Sequence, residues 1–486
     1  MKIFETLAYE ETLDPEDWKV VRQLAHTMVD DMFDYLENVK NRPVWTPITE
    51  GAKNALNQPL PIEPMMPEHV YEEFKAHILP FNMGNVHPRF WSWVNGNGTA
   101  MGMMADMLAS GMNPNNTIGE HAGQYVERQV ITWLKAMFNY PSVGSGLLVS
   151  GGSVANITAI IVARNHFDQQ IRNAGNAAVG GLLTMYCSSE THNCMMKAAD
   201  VIGVGSDNLR KIPVDSDFQI NVVALEQAIL EDKKAGKVPF CIVGNAGTVN
   251  TGAIDPLSTL QNLATEYGLW FHVDGAFGAL AKLDAAFGER LKAIETADSV
   301  AFDLHKWMYM NYEVGCVLVR DENIHRSAFA QAASYLAHHE RGLASGIEPR
   351  SNFGLELSRN FKALKVWMLL KEHGIEKYRR LIRQNIAQIK YLSELIDNQM
   401  FLERLSEPVM NVLCFRFNPK NMSDEHLNML NKEILMRLHE HGIAAPSYGL
   451  LNGKYAIRVA NVNHRSRKED FEALVEGVVK LGQELI

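Results

Sequence analysis

Short apolar runs recur through the middle of the chain, with helical patterns between them. The clearest are Leu182 to Tyr186, Phe240 to Gly244, Leu269 to Val273, Ser299 to Phe302 and Gly315 to Val319. The intervening lengths suit crossover helices, so residues 86–375 read as a large α/β domain with a mostly parallel central sheet and helices on both faces. Upstream, Trp18, Val21, Leu24, Met28, Met32 and Tyr35 recur at three- to four-residue spacing behind Asp14-Pro15, a cap and first-turn signal. This predicts a long amphipathic helix in an N-terminal segment, 1–85, that ends in a proline-rich connector, Pro59 to Pro67. Little nearby chain is available to cover the helix's apolar stripe, so the stripe is expected to pack on the large domain or on another subunit. From 376 to 486 a helical stretch leads to a strand at Val412 to Phe417, a helix, a strand at Tyr455 to Val459 and a last helix, which together make a small α+β domain.

Composition narrows the function class. The chain has 486 residues, 47% of them hydrophobic and 21% charged, and a net charge of -10. That is an ordinary globular balance with no basic cluster, so neither nucleic acid nor an anionic membrane is an expected partner. No charged-then-apolar leader opens the sequence and no apolar run reaches the roughly 18 residues of a membrane span; the cytoplasm is the default location. Cys187, Cys194, Cys241, Cys316 and Cys414 are scattered, with no C-x-x-C pair. They read as small core residues in a reducing compartment, and no metal site is expected.

Three elements carry candidate chemistry. Ser150-Gly151-Gly152-Ser153 follows an apolar run and opens an alternating stretch. The glycines admit an anion close to the backbone, and the following helix points free N–H groups at the same spot, which makes a phosphate cup. Asp274 closes the strand-like His272-Val273-Asp274, and Lys306 follows the run beginning at Ser299. Alone, each is more simply a turn aspartate or a lysine reaching solvent. Together, a phosphate cup, a carboxylate for a ring nitrogen and an amine for an aldehyde describe a site for pyridoxal 5′-phosphate (PLP), placed beyond the carboxyl ends of the strands.

At these residues the chain resembles the group II PLP-dependent amino-acid decarboxylases, which include the aromatic-L-amino-acid and glutamate decarboxylases. The likeness is carried by His87-Pro88-Arg89-Phe90, Ser150 to Ser153, Thr191-His192, Gly247-Thr248, Gly252 to Pro256, His272 to Asp274, His305-Lys306-Trp307, Arg458-Val459 and Asn463-His464-Arg465. It implies a fold type I, PLP-dependent transferase-like architecture and a homodimer with active sites at the subunit interface. It also implies decarboxylation of an L-amino acid to the amine and CO2, through an external aldimine and a quinonoid.

On the resemblance, Lys306 holds the cofactor as a Schiff base, Asp274 pairs with the pyridinium nitrogen and His192 stacks on the ring. Gly151, Gly152, Ser153, Thr248, Ala276 and His305 fall at cofactor-contacting or supporting positions. Asp303 and Ser299 could simply face the core, and Thr251 is weaker still. The stretch from Arg320 to Arg350, which contains Tyr335, matches a mobile catalytic loop whose tyrosine protonates the substrate carbon. A phenol suits that task because it stays protonated at neutral pH. In the aldehyde-synthase branch that position is phenylalanine, so tyrosine favours plain decarboxylation. The chain departs from the aromatic branch near the substrate: Asn85, Val94, Asn95 and Asn113 to Asn116 suggest a smaller or polar side chain, with an aromatic substrate still open and Trp91 and Trp93 read as core. An aminotransferase or carbon-carbon lyase of the same fold is the alternative.

Overall fold

The computed structural model describes residues 11–331 and 340–486, which fall into two compact units dividing between Gly84 and Asn85. The first unit carries the expected amphipathic helix, Trp18–Glu37. Its cap is Asp17, not Asp14: the Asp17 carboxylate accepts from the Lys19 N–H at 2.8 Å. Asp14-Pro15 lies outside the helix because the nearer carboxylate meets the first-turn donors. None of the helix's residues is buried, and Trp18 and Phe33 are exposed. Tyr71, from the helix Pro67–His77, ties back through a 2.7 Å bond to Asp31.

Among the described residues the second unit holds twelve strands in two sheets. In chain order they are β1 (Phe90–Trp91), β2 (Ser145–Val149), β3 (Leu183–Ser188), β4 (Leu209–Ile212), β5 (Val238–Asn245), β6 (Trp270–Asp274), β7 (Ser299–Asp303), β8 (Gly315–Val319), β9 (Leu402–Arg404), β10 (Val412–Phe417), β11 (Ala445–Leu451) and β12 (Lys454–Ala460). The large sheet has the order β2-β8-β7-β6-β5-β3-β4. All its pairs are parallel except those of β8, which runs antiparallel to both β2 and β7. Strand alternation sorts its side chains into two apolar layers. Leu147, Val149, Ala301 and Val317 pack with Ala155 and Ala159 of the helix Gly152–Phe167, while Leu148, Val273 and Phe302 face Val130, Leu134 and Phe138 on the other side. Phe138 meets Phe302 edge-on at 4.8 Å, a geometry worth about 0.5–1.5 kcal/mol beyond burial.

The small sheet has the order β1-β11-β12-β10-β9. Its edge strand β1 comes from far upstream and pairs in parallel with β11, Phe90 opposite Ala445. Trp91 is buried as expected, stacking on Phe471 at 4.8 Å and donating to Ser466 Oγ. Two elements of this sheet, β9 and β11, were not expected. The stretch after Arg320, read as loop, opens with a helix, Glu322–Phe329, capped by Asp321. The helix Lys362–Asp397 passes through residue 375 with one non-helical residue, Gly374. Among the described residues no helix is long and apolar enough to cross a membrane, and all five cysteines are buried and unbridged.

Candidate active site

The carboxyl ends of β2, β6 and β7 open onto one cavity of about 410 Å³. Gly151, Gly152, Ser153, His192, Thr248, Asp274, Ala276, His305 and Lys306, dispersed over the sequence, all line it. Asp303 lines it too, whereas Ser299 and Thr251 do not. Ser299 lies behind the wall against Trp270 and His272, and Thr251 shares a 3.1 Å hydroxyl contact with Thr248. Tyr335 lies outside the described residues.

Lys306 sits on a short helical turn, Leu304–Trp307, directly after β7. The turn is anchored from below, since Trp307 Nε1 and Tyr309 Oη both donate to Asn385 Oδ1 at 3.0 and 2.7 Å. Lys306 Nζ lies 2.8 Å from Asp303 Oδ2. Burial pushes the lysine pKa down, but the Asp303 carboxylate, and Asp274 behind it, outweigh that and raise it. Desolvation alone therefore does not give a neutral amine; the ion pair holds Lys306 as an ammonium until the pair is broken.

Asp303 stands in space cleared by glycines. A Cβ on Gly152 would come within 2.8 Å of Asp303 Oδ2, and one on Gly315 within 2.6 Å of Oδ1 and of the Gly151 Cα. Gly151 caps the helix Gly152–Phe167 without a side-chain acceptor, so the first-turn N–H groups face the cavity and form the phosphate cup.

Asp274 is 5% exposed. Its carboxylate accepts from the Ala276 N–H at 3.2 Å, and burial raises its pKa despite Lys306 and that bond. Among the described residues no cation lies within ion-pair distance of it. A buried carboxyl facing a cavity without a close cation fits a protonated pyridine nitrogen, which would supply the missing charge. Burial lowers the pKa of His192, and its Nδ1 accepts from the Cys194 N–H at 3.2 Å, which puts the ring proton on Nε2. Behind it, Asn245 Nδ2 donates to Thr191 Oγ1 and to Asp255 Oδ2, steadying the turn that carries His192. His305 is likewise held neutral by burial; its Nδ1 accepts from Val314 N–H, and its ring lies 4.4 Å from that of Tyr312.

The substrate wall departs from expectation. Trp93 is exposed rather than core and lines the cavity with Val94, Asn95 and Tyr312. Asn95 accepts from Tyr312 Oη at 2.6 Å. Three of the other asparagines are engaged elsewhere: Asn85 with Gly96 O, Asn115 with the Leu357 carbonyl and the Arg359 N–H, and Asn116 with Glu127. Cys194 and Asn156, which no motif singles out, face the cavity beside Asp274.

Residues 50–418 match the family described as "Pyridoxal-dependent decarboxylase conserved domain". The chain belongs to this family. An aromatic-L-amino-acid decarboxylase of Bacillus atrophaeus is 32% identical over 96% of this chain and 96% of its own. A phenylacetaldehyde synthase of Arabidopsis thaliana is 28% identical over 92% of this chain and 93% of its own. In architecture the chain is similar to a solved Oryza sativa TDC with PLP and tryptamine, with a TM-score of 0.88 and 24% identity over 98% of this chain and all of that one. As a pyridoxal-dependent decarboxylase, the chain has the fold type I architecture read from its sequence. Membership also decides between decarboxylases and the aminotransferase alternative.

Proposed function

We propose that the protein decarboxylates an L-amino acid to the corresponding amine and CO2, with PLP held at Lys306. The observation that carries this reading is the convergence on one cavity of the Lys306 amine, the buried Asp274 carboxyl and the Gly151–Gly152 helix N-terminus. Bound PLP supplies a ring that takes up the electron pair left as CO2 departs.

The chain's residues do the rest. The N–H groups after Gly151, with Ser153, hold the phosphate. Asp274 keeps the ring nitrogen protonated. His192 and Ala276 close on the two faces of the ring, while Thr248 and His305 fix its rim. Lys306 yields its place to the incoming amino group and later displaces the product. Tyr335 delivers a proton to the substrate's α-carbon, so the amine is released rather than an aldehyde.

The side-chain subsite is bounded by Trp93, Val94, Asn95 and Tyr312. With Asn95 Oδ1 engaged by Tyr312, its Nδ2 is left to donate, which favours a side chain with an exposed acceptor over a wholly apolar one. The working form is a homodimer, a reading supported by the resemblance and by the unburied apolar stripe of Trp18–Glu37. The test incubates the purified holoprotein with a panel of L-amino acids and follows CO2 and amine by mass. Equal yields of the two, abolished in Lys306→Ala, are expected. Amino-group transfer without CO2 would overturn the reading.

A further inference from the structure

A line of buried polar side chains runs behind the cavity wall to Asp274, and decarboxylation at Lys306 leaves most of it unused. Trp270 Nε1 donates to Ser299 Oγ at 2.8 Å. Ser299 Oγ lies 2.8 Å from His272 Nδ1, and His272 Nε2 lies 2.8 Å from Asn156 Oδ1. The Nδ2 end of the Asn156 amide meets Cys194 Sγ at 3.2 Å and favours the ionised form of Asp274, while Cys194 Sγ itself stands 3.9 Å from Asp274 Oδ2. Ser299, His272 and Asn156 are fully buried.

The donor order follows from chemistry. If the Asn156 carbonyl faced the carboxylate, two acceptors would oppose each other, so the amide nitrogen faces Asp274 and the oxygen faces His272. Burial lowers the His272 pKa from 6.5 to about 3, so the imidazole is neutral with a single ring proton. That proton sits on Nε2 to serve Asn156 Oδ1. Nδ1 is then an acceptor, and Ser299, itself accepting from Trp270, donates to it. Ser299, His272 and Asn156 are each used once in each direction, and the line reaches the Asp274 carboxyl, whose pKa burial raises, through Asn156 Nδ2 and the Cys194 thiol.

We propose that Ser299, His272 and Asn156 form a one-way chain of hydrogen bonds that positions Asp274 and keeps its carboxyl ionised toward the cofactor's ring nitrogen. This rests on the assignment of Asp274 as the ring-nitrogen partner. The other titratable groups facing Asp274 are Lys306, His192 and Cys194, with Cys187 behind the wall. Lys306, His192 and Cys194 line the cavity, and Cys194 also accepts from Asn156 Nδ2. Asn156, His272 and Ser299 are positioning residues. Asn156 alone reaches the cavity; the other two act through it.

The experiment loads the full-length protein with PLP labelled with nitrogen-15 in the ring and reads the ring-nitrogen chemical shift and the cofactor Kd at neutral pH. Asn156→Asp replaces the donating amide with a second carboxyl of nearly the same shape. Ser299→Ala removes the direction of the chain at its far end and carries the test if Asn156→Asp does not fold. Both are expected to move the shift toward the unprotonated ring, Asn156→Asp further and with cofactor binding weakened about tenfold or more. A residue that merely fills the core would lower the melting temperature and leave the shift alone. Asp274→Asn tells failure of the chain from failure of the Asp274 assignment. If Asp274→Asn leaves the shift unchanged, the assignment of Asp274 fails. If Asp274→Asn moves it while Asn156→Asp and Ser299→Ala do not, the chain is refuted and the assignment of Asp274 stands.

Discussion

At the residue scale, the pairing of Lys306 with Asp303 controls when the amine can react. With Nζ 2.8 Å from the carboxylate, the lysine is held charged against the pull of burial. Replacing Asp303 by Asn removes the neighbouring charge that does most to raise the lysine pKa and leaves desolvation to lower it. The rate of PLP attachment, followed by visible absorption against pH, is therefore expected to rise with a midpoint about one pH unit lower or more in Asp303→Asn. Tyr335→Phe is expected to keep CO2 release while shifting product from amine toward aldehyde, read by mass. Much of the site was legible because its parts sit where strand-like runs end: Ser150, Asp274 and Lys306 could each be placed beyond a strand's carboxyl end. What was not legible is pairing across distance. His272 stands in a motif strand without a role of its own and Asn156 reads as one more helix position, and nothing local says that they meet. Trp93 was misread because a tryptophan near a strand is usually core; here its backbone takes a φ of 52° and the ring is exposed.

At the scale of elements, the strand that ends in the phosphate cup is held by a buried ion pair. Arg359 Nη2 reaches Glu127 Oε1 at 2.6 Å and Leu148 O at 2.7 Å, while Nη1 reaches Asn116 O at 3.1 Å. This joins β2 to the helix Ala122–Met137 and to the turn before it. Arg359→Met strips Glu127 of its ion-pair partner and leaves it the pull of Arg350 and its two hydrogen bonds, and a loss of up to roughly 3–5 kcal/mol is expected by chemical denaturation. Adding Glu127→Gln should recover part of that loss. Gly315→Ala presses on Asp303 and Gly151 from β8, and a cost of roughly 1–3 kcal/mol, with weaker PLP binding, is expected by denaturation and titration. Among the strands, β11 was missed because Pro446 and Gly449 interrupt its pattern. The signal that would have found it is Asn452-Gly453, whose φ values of 49° and 79° make the tight hairpin turn into β12. The five runs of the large sheet were readable because strands covered on both faces are continuously apolar.

At the scale of the whole molecule, acid stability is set by histidines that the fold keeps uncharged. Burial lowers the pKa of both His272 and His325 from 6.5 to about 3. Below the ordinary histidine value the unfolded chain binds protons at these positions that the folded chain refuses. The stability they confer is therefore complete above pH 6.5 and drains away down to about pH 3, at about 1.4 kcal/mol per pH unit for each. Urea midpoints measured across that window should fall with pH, and less steeply in His325→Asn, which removes one of the buried neutral histidines.

The pairing of β1 with β11 has a consequence for how the chain is made. The Ser92 hydroxyl finds the Ala445 carbonyl across 353 residues. A ribosome adding about 5–20 residues per second needs roughly 20–70 s between exposing the first and delivering the second. Throughout that interval Phe90 and Trp91, later among the best-covered side chains, stand naked beside a half-built sheet. Nascent chains stalled before Ala445 should therefore be the ones that holdase chaperones retain.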